Sequence, residues 1–525
     1  MTRSEDLGLP PPPTAAPHEL DTLREDLAAA AYTLDGVTDF LGTWAAAALH
    51  REETLPARRR IAQEPGPTAT AIALFTLGEP VASRAVEDAF PRTGVAGLRR
   101  LGLVRSPAGR AASLVTASCD LRPYGDEANT WWVASDLGEL ATGGPLHPDH
   151  VLGVGGASAT LASWTPRPPA RRALDLGTGC GVQSLHLGRY CERIVATDTS
   201  TRALAFAAFN AALAGADWEL RAGDLWEPVD GERFDLIVSN PPFVITPRRD
   251  DVPRFTYRDG GARGDAVVER LVRGAADHLA PDGMAQLLGN WEVRRGEDWR
   301  EVLDRWLEGS GLDALVVQRE VSDPCQYAET WTRDGGHRPG TSAYERLYAA
   351  WLDDFAARDV EAIGFGVVTL SRPDNATGPA GQARAPRVDF VDHPGTVAGP
   401  VGPAILAALR ACRELAALGR EGILERRWVF ADDVSIHTYA LPGHADPSVI
   451  QLTQGGGLRL LRRVDQVLAA FASVCDGDLT AGAALHAIAA VLGRDSAEVI
   501  EGALPEIEHL IADGFLMPQR GGEAR

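Results

Sequence analysis

Short apolar runs alternate with longer amphipathic stretches through the middle of the chain. Each run has the length and apolar character of a buried β-strand, and helical patterns separate most of them. This alternation predicts an α/β domain whose parallel sheet carries helices on both faces. The predicted strands lie at 171–176, 193–198, a segment just before Asp224, 234–238, 284–288, 314–317 and 363–370.

Different patterns occupy the two ends of the chain. Residues 18–65 have helical patterns, and the order of 98–104, a polar turn and 112–115 resembles the third helix and wing of a winged-helix module. The stretch leading to 510–516 has a similar order. Proline, glycine and polar residues over 371–400 indicate a boundary. The predicted domains are a disordered tail (1–17), an N-terminal helical and winged-helix-like domain (18–150), the central domain (151–395) and a C-terminal winged-helix-like domain (396–525).

Candidate ligand-binding residues stand at the ends of the first three predicted strands. Strand 171–176 runs into a turn, 177–181, in which every second residue is glycine, so the backbone can approach a ligand closely before a helix begins. The next strand ends in Asp198, where an acid can bind both ribose hydroxyls of a nucleoside. Asp224 follows the third strand and is placed to face an adenine ring. A glycine-rich turn alone is shared by NAD, FAD and S-adenosylmethionine sites.

The acceptor motif, which we define as residues 240–243, follows strand 234–238 and reads Asn-Pro-Pro-Phe. The side-chain carbonyl of Asn240 and the backbone carbonyl of Pro241 can both accept hydrogens from a planar NH2 group. Proline fixes φ, so these acceptors are held in place. Phe243 offers a flat face to such a group. The motif therefore indicates a site that orients an amide or a base amine toward an electrophile.

The spacing of the glycines distinguishes the cofactors. Dinucleotide sites usually read G-x-G-x-x-G, whereas Asp175 here begins the pattern Asp-x-Gly-x-Gly-x-Gly. This pattern resembles the first motif of class I S-adenosylmethionine-dependent methyltransferases. With Asp198 and the acceptor motif, the chain resembles their Asn-Pro-Pro-aromatic subgroup. The resemblance implies a Rossmann-like seven-stranded sheet, S-adenosyl-L-methionine as cofactor and methyl transfer to a planar nitrogen. It also implies an antiparallel strand near the edge of the sheet, for which 363–370 is the candidate.

The resemblance also assigns roles to residues. Asp175 is expected near the methionine portion of the cofactor. The residues assigned to catalysis are Asn240, Pro241, Pro242 and Phe243, and those assigned to the cofactor are Asp175, Gly177, Thr178, Gly179, Gly181, Asp198, Asp224, Leu225 and Asn240.

Three acceptor classes share the motif: protein glutamine side chains, adenine amines and guanine amines. A Gly-Gly-x-x-Gly loop at 260–264 is similar to HemK-type enzymes, which methylate glutamine in peptide-chain release factors. Those enzymes carry tyrosine where this chain has Phe243, and a Glu-Pro pair before the glycines that is missing here. Phenylalanine instead resembles the guanine-specific ribosomal RNA enzymes. We predict a protein glutamine (N5) as the acceptor, with a base amine of rRNA, tRNA or DNA (adenine N6 or guanine N2) as the alternative. A non-catalytic scaffold is a third hypothesis, against which the intact Asn240 and glycines argue.

The composition of the chain limits the classes of molecule that the protein is expected to bind. A net charge of −21 disfavours general nucleic-acid binding, although arginines outnumber acids over 248–273. The six cysteines are scattered without a C-x-x-C pair, which argues against a zinc site and fits a reducing cytoplasm. No apolar run is long enough to cross a bilayer. We therefore expect a cytoplasmic enzyme without metal or membrane, acting on a protein such as a translation factor or, alternatively, on structured nucleic acid.

The sequence allows two interpretations of the structural role of each of two segments. Residues 151–158 either lie against the cofactor, as in related methyltransferases, or form a plain glycine-rich loop. Residues 322–358 form an insertion before the last predicted strand. The insertion either covers the active site or is an ordinary pair of surface helices.

Overall fold

The computed structural model describes residues 8–106, 113–126, 128–144, 146–373, 385–444 and 446–519. Within these ranges no helix combines the length and the apolar character needed to cross a membrane. The described chain consists of an N-terminal region, a large central sheet with its helices, and a C-terminal region.

Helices dominate the N-terminal region, in agreement with the pattern over 18–65. Its elements are α1 (Pro17–Ala29), α2 (Leu34–Leu49), α3 (Leu55–Gln63), α4 (Pro67–Ala71), a π-helical turn (Ile72–Thr76), β1 (Val81–Ala82), α5 (Ser83–Ala89), α6 (Gly94–Arg100), β2 (Val104–Arg105), β3 (Leu114–Ala117), β4 (Asp120–Gly125), β5 (Thr130–Ser135) and α7 (Glu139–Thr142). β1, β3 and β2 form one small sheet, and β4 pairs with β5. The winged-helix interpretation of this region stays a prediction.

The predicted tail, 1–17, differs from the structure over its described part. Residues 1–7 lie outside the described residues. The backbone N–H of Thr14 donates to the Leu101 carbonyl at 2.9 Å, and the Arg202 guanidinium donates to the Pro10 carbonyl at 2.7 Å. Prolines restrict the unfolded chain, so little entropy is lost when such a segment is held. Residues 8–16 are therefore bound to the protein surface, and the prediction of disorder is wrong for them.

The central region alternates strands and helices as the apolar pattern predicts. Its elements are α8 (Gly156–Trp164), β6 (Ala170–Leu176), α9 (Val182–Leu187), β7 (Cys191–Asp198), α10 (Thr201–Ala214), β8 (Glu219–Ala222), a 3-10 turn (Glu227–Val229), β9 (Phe234–Ser239), α11 (Ala266–His278), β10 (Leu279–Arg294), α12 (Trp299–Leu307), β11 (Asp313–Ser322), α13 (Pro324–Asp334), α14 (Ser342–Ala356), β12 (Val360–Ser371) and β13 (Val388–Asp392).

The strand order is β13-β11-β12-β10-β9-β6-β7-β8. β12 runs antiparallel between β10 and β11, which confirms the prediction for 363–370. The order along the sheet reverses between β9 and β6, so the carboxyl ends of these parallel neighbours open a crevice suited to a ligand. The Rossmann-like α/β class is confirmed. The sheet has eight strands instead of seven, because the weakly apolar β13 pairs with the edge of β11.

Both faces of the sheet are covered by other parts of the protein. Side chains alternate along each strand, so neighbouring residues of a strand face opposite sides of the sheet. Leu236 and Val238 of β9 belong to a core shared with the N-terminal region. Ile237, between them, joins a second core with residues of α11 and α12 such as Val268 and Leu303. Successive side chains of a strand point to opposite faces, so a continuous apolar run is what a sheet buried on both sides requires.

Asn210 joins the N-terminal region to the central sheet. Its side chain accepts the Ala134 N–H at 2.8 Å and donates to the carbonyls of Ala134 and Cys180 at 2.9 and 2.8 Å, and the residue is fully buried. Asn210→Ala leaves these backbone groups without a partner, so we expect the free energy of unfolding to fall by about 3 kcal/mol in urea titrations. Asn129→Ala, at an exposed turn, is the control and should change it by less than about 1 kcal/mol.

The C-terminal region contains two further small sheets, β18-β14-β19 and β15-β16-β17. Its elements are α15 (Gly402–Glu425), β14 (Arg427–Phe430), β15 (Val434–Tyr439), β16 (Val449–Gln454), β17 (Leu461–Val464), α16 (Gln466–Val474), β18 (Asp476–Thr480), α17 (Ala481–Leu492), α18 (Ser496–Ala512) and β19 (Leu516–Pro518). The winged-helix interpretation stays a prediction here as well.

Candidate functional site

A cavity of about 600 Å³ opens at the carboxyl ends of the central strands. This volume lies within the usual range for small-molecule sites. Nine of the residues assigned from the sequence line it: Gly177, Thr178, Gly179, Asp198, Asp224, Leu225, Asn240, Pro241 and Pro242. The structure thus brings the glycine turn, the two strand-end acids and the acceptor motif to one place, as the order of the strands predicts.

The glycine turn forms an open cradle. Gly177 and Gly179 have φ of +75° and +56°, in the left-handed region that glycine adopts at no steric cost. A Cβ added to either residue would meet no atom within 4 Å. The space beside the backbone therefore belongs to the cavity. A ligand as elongated as S-adenosylmethionine fits this arrangement, since the turn lets it lie directly against the main chain.

Asp198 ends β7 and braces the turn. One carboxylate oxygen accepts the Gly179 N–H at 2.9 Å, and the other accepts the Ser200 N–H at 2.8 Å. Burial raises the pKa of Asp198, and the backbone N–H groups oppose this shift. Because the carboxylate also lines the cavity, it retains acceptor capacity for hydroxyl groups of a ligand.

Asp175 lies beneath the turn and does not line the cavity. Only 1% of the residue is exposed. One carboxylate oxygen accepts the Thr178 hydroxyl at 2.7 Å and both the N–H and the hydroxyl of Ser184 at 3.0 and 2.7 Å. The other oxygen is buried without a partner in the described chain. Burial raises the pKa of Asp175 to about 6. Its observed contacts support the turn from behind.

Asp224 lies at the opposite end of the cavity and is already paired. Its carboxylate is 3.2 Å from the Arg270 guanidinium, and both side chains are about half exposed. Leu225 follows with φ of +46°, in the left-handed region. Arg270 also lines the cavity. An adenine ring entering here would meet an ion pair instead of a free acid.

The acceptor motif presents two free carbonyl oxygens. Nδ2 of Asn240 lies 3.5 Å from the Ser158 hydroxyl, which orients the amide. Within the described residues, neither Oδ1 of Asn240 nor the Pro241 carbonyl accepts a hydrogen bond. Both residues line the cavity. The geometry is therefore that of a receptor for a group with two N–H donors.

Phe243 packs on the sheet. Its ring lies against Phe365 with a centroid distance of 5.3 Å. The backbone of Phe243 pairs with Asp259 in an isolated bridge. These contacts anchor the motif to the sheet, and the expectation that the ring faces the acceptor group stays a prediction.

Sequence reasoning missed several lining residues. Ser158 of the 151–158 segment contacts both Asn240 and the Gln183 side chain, which favours the interpretation of that segment as part of the site. The other unassigned lining residues include His150, Tyr257, Asp259 and Arg270. The glycines at 155 and 156 were the available signal for the first segment. Isolated polar residues on distant loops carry no such local signal.

Gly181 gives a direct test of the turn. Its φ is +90°, and a Cβ there would lie 2.5 Å from the Trp218 ring. We expect Gly181→Ala to lower the free energy of unfolding by about 2 to 3 kcal/mol, because strain and overpacking add. Gly188→Ala, seven residues on, is the control, since its φ is −56° and its new Cβ would meet only ordinary contacts from 3.6 Å. Urea denaturation of both variants gives the comparison.

The described residues contain no cluster of three or more histidine, cysteine, aspartate or glutamate side chains arranged to hold a metal ion. His437 lies on β15. It hydrogen-bonds to the Ser435 hydroxyl at 3.0 Å.

Two family descriptions match parts of the chain. Residues 153–305 match the methyltransferase small domain, and residues 29–114 match a domain of unknown function (DUF7059). The first match covers the glycine turn, the strand-end acids and the acceptor motif. The second covers most of the helical N-terminal region.

Curated relatives match about a third of the chain or less. A release factor glutamine methyltransferase of Xylella fastidiosa is 38% identical over 166 residues, which cover 29% of this chain and 56% of the relative. A ribosomal protein uL3 glutamine methyltransferase of Bradyrhizobium diazoefficiens is 35% identical over 192 residues, or 34% of this chain and 59% of the relative. A ribosomal RNA small subunit methyltransferase C of Sodalis glossinidius is 34% identical over 140 residues, which cover 26% of this chain and 36% of the relative.

The chain thus spans little more than half the length of the first two relatives. The stretch that matches the family model contains the glycine cradle and the acceptor motif described above. Residues 153–305 are therefore similar to a methyltransferase small domain and lie in a Rossmann-like sheet.

Proposed function

We propose that the protein transfers a methyl group from S-adenosylmethionine to the side-chain amide nitrogen of a glutamine in a protein substrate. The observation that carries the proposal is the pair of free carbonyl oxygens, Oδ1 of Asn240 and the Pro241 carbonyl, on the wall of the cavity that the glycine turn also lines. A primary amide has two N–H donors for these two acceptors.

The residues of the chain act by alignment. When bound, S-adenosylmethionine supplies an electrophilic methyl group on a positively charged sulfur. Asn240 and Pro241 hold the acceptor nitrogen by its two hydrogens and fix the plane of the amide. The lone pair, which lies perpendicular to that plane, is then directed into the cavity. Holding two reactants in line accounts for a large part of a transfer rate, so no strong base is required before the bond forms.

The names of the two glutamine methyltransferases support a protein acceptor. The net charge of −21 supports it as well, because a strongly acidic surface repels nucleic acid. A translation factor or ribosomal protein is the class of partner that we propose, in the cytoplasm where such proteins work.

The experiment uses the full chain, S-adenosylmethionine with a deuterated methyl group, and a bacterial lysate. Protein and nucleic acid are then separated, digested to amino acids and nucleosides, and analysed by mass spectrometry. The proposal requires deuterated N5-methylglutamine in the protein fraction, absent when Asn240→Ala replaces the wild type. Label found in neither fraction would refute methyl transfer to both acceptor classes.

A base-amine methyltransferase is the second candidate. The specific observation for it is the relative named ribosomal RNA small subunit methyltransferase C, which is 34% identical over the shared stretch. Phenylalanine in the acceptor motif also resembles the guanine-specific enzymes. Deuterated N2-methylguanosine or N6-methyladenosine in the nucleoside fraction, without labelled glutamine, would establish this candidate and replace the first.

A further inference from the structure

The chain that leaves the acceptor motif forms a loop with a closed neck, which we call the acceptor loop (residues 244–259). Phe243 pairs with Asp259, and the Val244 N–H donates to the Arg258 carbonyl at 2.8 Å. Asp259 lines the cavity, and so does Pro242 on the other side of the neck. The position of the neck therefore sets one wall of the cavity.

A tyrosine of the insertion holds one side of this neck. The Tyr327 hydroxyl, on α13, accepts the Ile245 N–H at 3.1 Å and lies 2.5 Å from the amide of Asn290 on β10. Tyr327 and Asn290 are 5% and 1% exposed. Oδ1 of Asn290 has no partner in the described chain. The Tyr327 hydroxyl therefore accepts from both the Ile245 N–H and the Asn290 amide, which fixes its position at the neck.

The other side of the neck is held by the same insertion. The Arg258 guanidinium donates to the Trp331 carbonyl at 3.2 Å and pairs with Asp334, both on α13. It also lies 4.3 Å from the centroid of the Phe255 ring, within the acceptor loop. Arg258 is only 7% exposed, whereas Asp334 is about half exposed, so the buried guanidinium is held by a carboxylate at the protein surface.

An apolar contact reinforces both polar ones. Val244 and Ile245 belong to a separate buried cluster whose other members come from the insertion and from β12. They are Tyr327, Ala328, Trp351, Phe355, Val360 and Ile363. Within the described residues, this cluster places the two residues that follow the acceptor motif directly against α13 and α14.

We propose that α13 and α14 clamp the acceptor loop and that Tyr327 is a positioning residue for methyl transfer. Tyr327 does not line the cavity, so it acts through Ile245 on the backbone that carries Pro241 and Asn240. This inference rests on the proposed function, because it concerns the alignment of the acceptor nitrogen. It goes beyond that function by giving the insertion a role in the reaction.

Tyr327→Phe tests the clamp with the loss of one oxygen atom. We expect kcat to fall about tenfold, because a small displacement of the acceptor is enough for such a loss. The dissociation constant for S-adenosylmethionine should stay unchanged in calorimetry. Amide hydrogen exchange at Ile245 should become faster, since its N–H loses its partner.

Tyr344→Phe is the matched control. Tyr344 lies on α14 of the same insertion, is 8% exposed, and stacks on Tyr348 at 5.8 Å. Its hydroxyl makes no hydrogen bond with the described residues, so kcat and the exchange at Ile245 should match those of the wild type. Asp334→Asn, at the half-exposed end of the Arg258 pair, is a second variant should Tyr327→Phe fold poorly. It should lower kcat in the same direction.

The outcomes separate the two proposals. A wild-type protein that methylates neither glutamine nor a base refutes the proposed function, whatever Tyr327→Phe does. An active wild type with equal kcat for Tyr327→Phe and Tyr344→Phe overturns the clamp, as does unchanged exchange at Ile245. Equal losses of kcat and cofactor affinity would also overturn it, because they would show a general loss of structure.

Discussion

Asn240→Ala is expected to lower kcat by about 10²- to 10³-fold, because the variant removes one of the two oxygens that orient the acceptor nitrogen. Alanine keeps the backbone and both prolines in place, so Pro241 still offers its carbonyl. We propose that the cofactor binds mainly against the glycine turn and Asp198, so its affinity should change by less than about twofold, or 0.4 kcal/mol. Single-turnover kinetics with labelled cofactor and isothermal titration calorimetry measure the two quantities separately.

The control for this variant is Ser158→Ala. Ser158 contacts only the Nδ2 end of the Asn240 amide, at 3.5 Å, which is a weak hydrogen bond. Its loss should lower kcat by less than about fivefold, because the Oδ1 acceptor remains. Equal losses of turnover and cofactor affinity in Asn240→Ala would contradict its proposed role in orienting the acceptor nitrogen.

The features that the sequence predicts well depend on local physics. The strands of the central sheet, the alternate glycines and the acids at strand ends are specified within a few neighbouring residues, by apolar runs and by backbone conformations that only glycine adopts freely. The meeting of Asp198 and Asn240 in one cavity follows from chain order, because parallel strands place their carboxyl ends at one edge. Both parts of the prediction agree with the structure.

The features that the sequence does not predict depend on contacts between distant residues. Ile245 and Tyr327 are 82 residues apart, and no local pattern marks their hydrogen bond. The ring of Phe243 packs against Phe365, which lies beyond the insertion on β12, with a centroid distance of 5.3 Å. The Pro10 carbonyl accepts a hydrogen bond from Arg202, although the proline-rich composition of its segment predicts disorder. In each case a tertiary partner overrides what the neighbouring residues prefer.

The eighth strand has the same explanation. β13 has an apolar pattern too weak to stand out, and its residues are only half-buried. It is ordered because β11 has a free edge, and a row of unpaired backbone groups is satisfied by any extended segment that can reach it. The predicted boundary over 371–400 therefore contains a strand that belongs to the central sheet.

Asp198→Ala is expected to weaken the binding of S-adenosylmethionine by about 100-fold, or 2 to 3 kcal/mol, because a carboxylate that accepts two ribose hydroxyls contributes charge-assisted hydrogen bonds. The variant also removes the acceptor of the Gly179 and Ser200 N–H groups, which loosens the cradle. Asp224→Ala is the comparison: Asp224 is half exposed and already paired with Arg270, so its loss should cost less than about tenfold in affinity.

The pH dependence of binding distinguishes Asp198 from Asp175. Burial raises the pKa of Asp198. Its carboxylate therefore becomes protonated, and loses acceptor capacity, at a higher pH than an ordinary aspartate. Wild-type affinity should therefore fall as the pH is lowered, and calorimetry between pH 8 and about 5 should show a weaker fall for Asp198→Ala. Any dependence that persists in the variant comes from other buried groups, among them Asp175, whose pKa burial raises to about 6, and Asp259, which lines the cavity and whose pKa burial also raises. An unchanged pH profile in Asp198→Ala would contradict a direct contact between Asp198 and the cofactor.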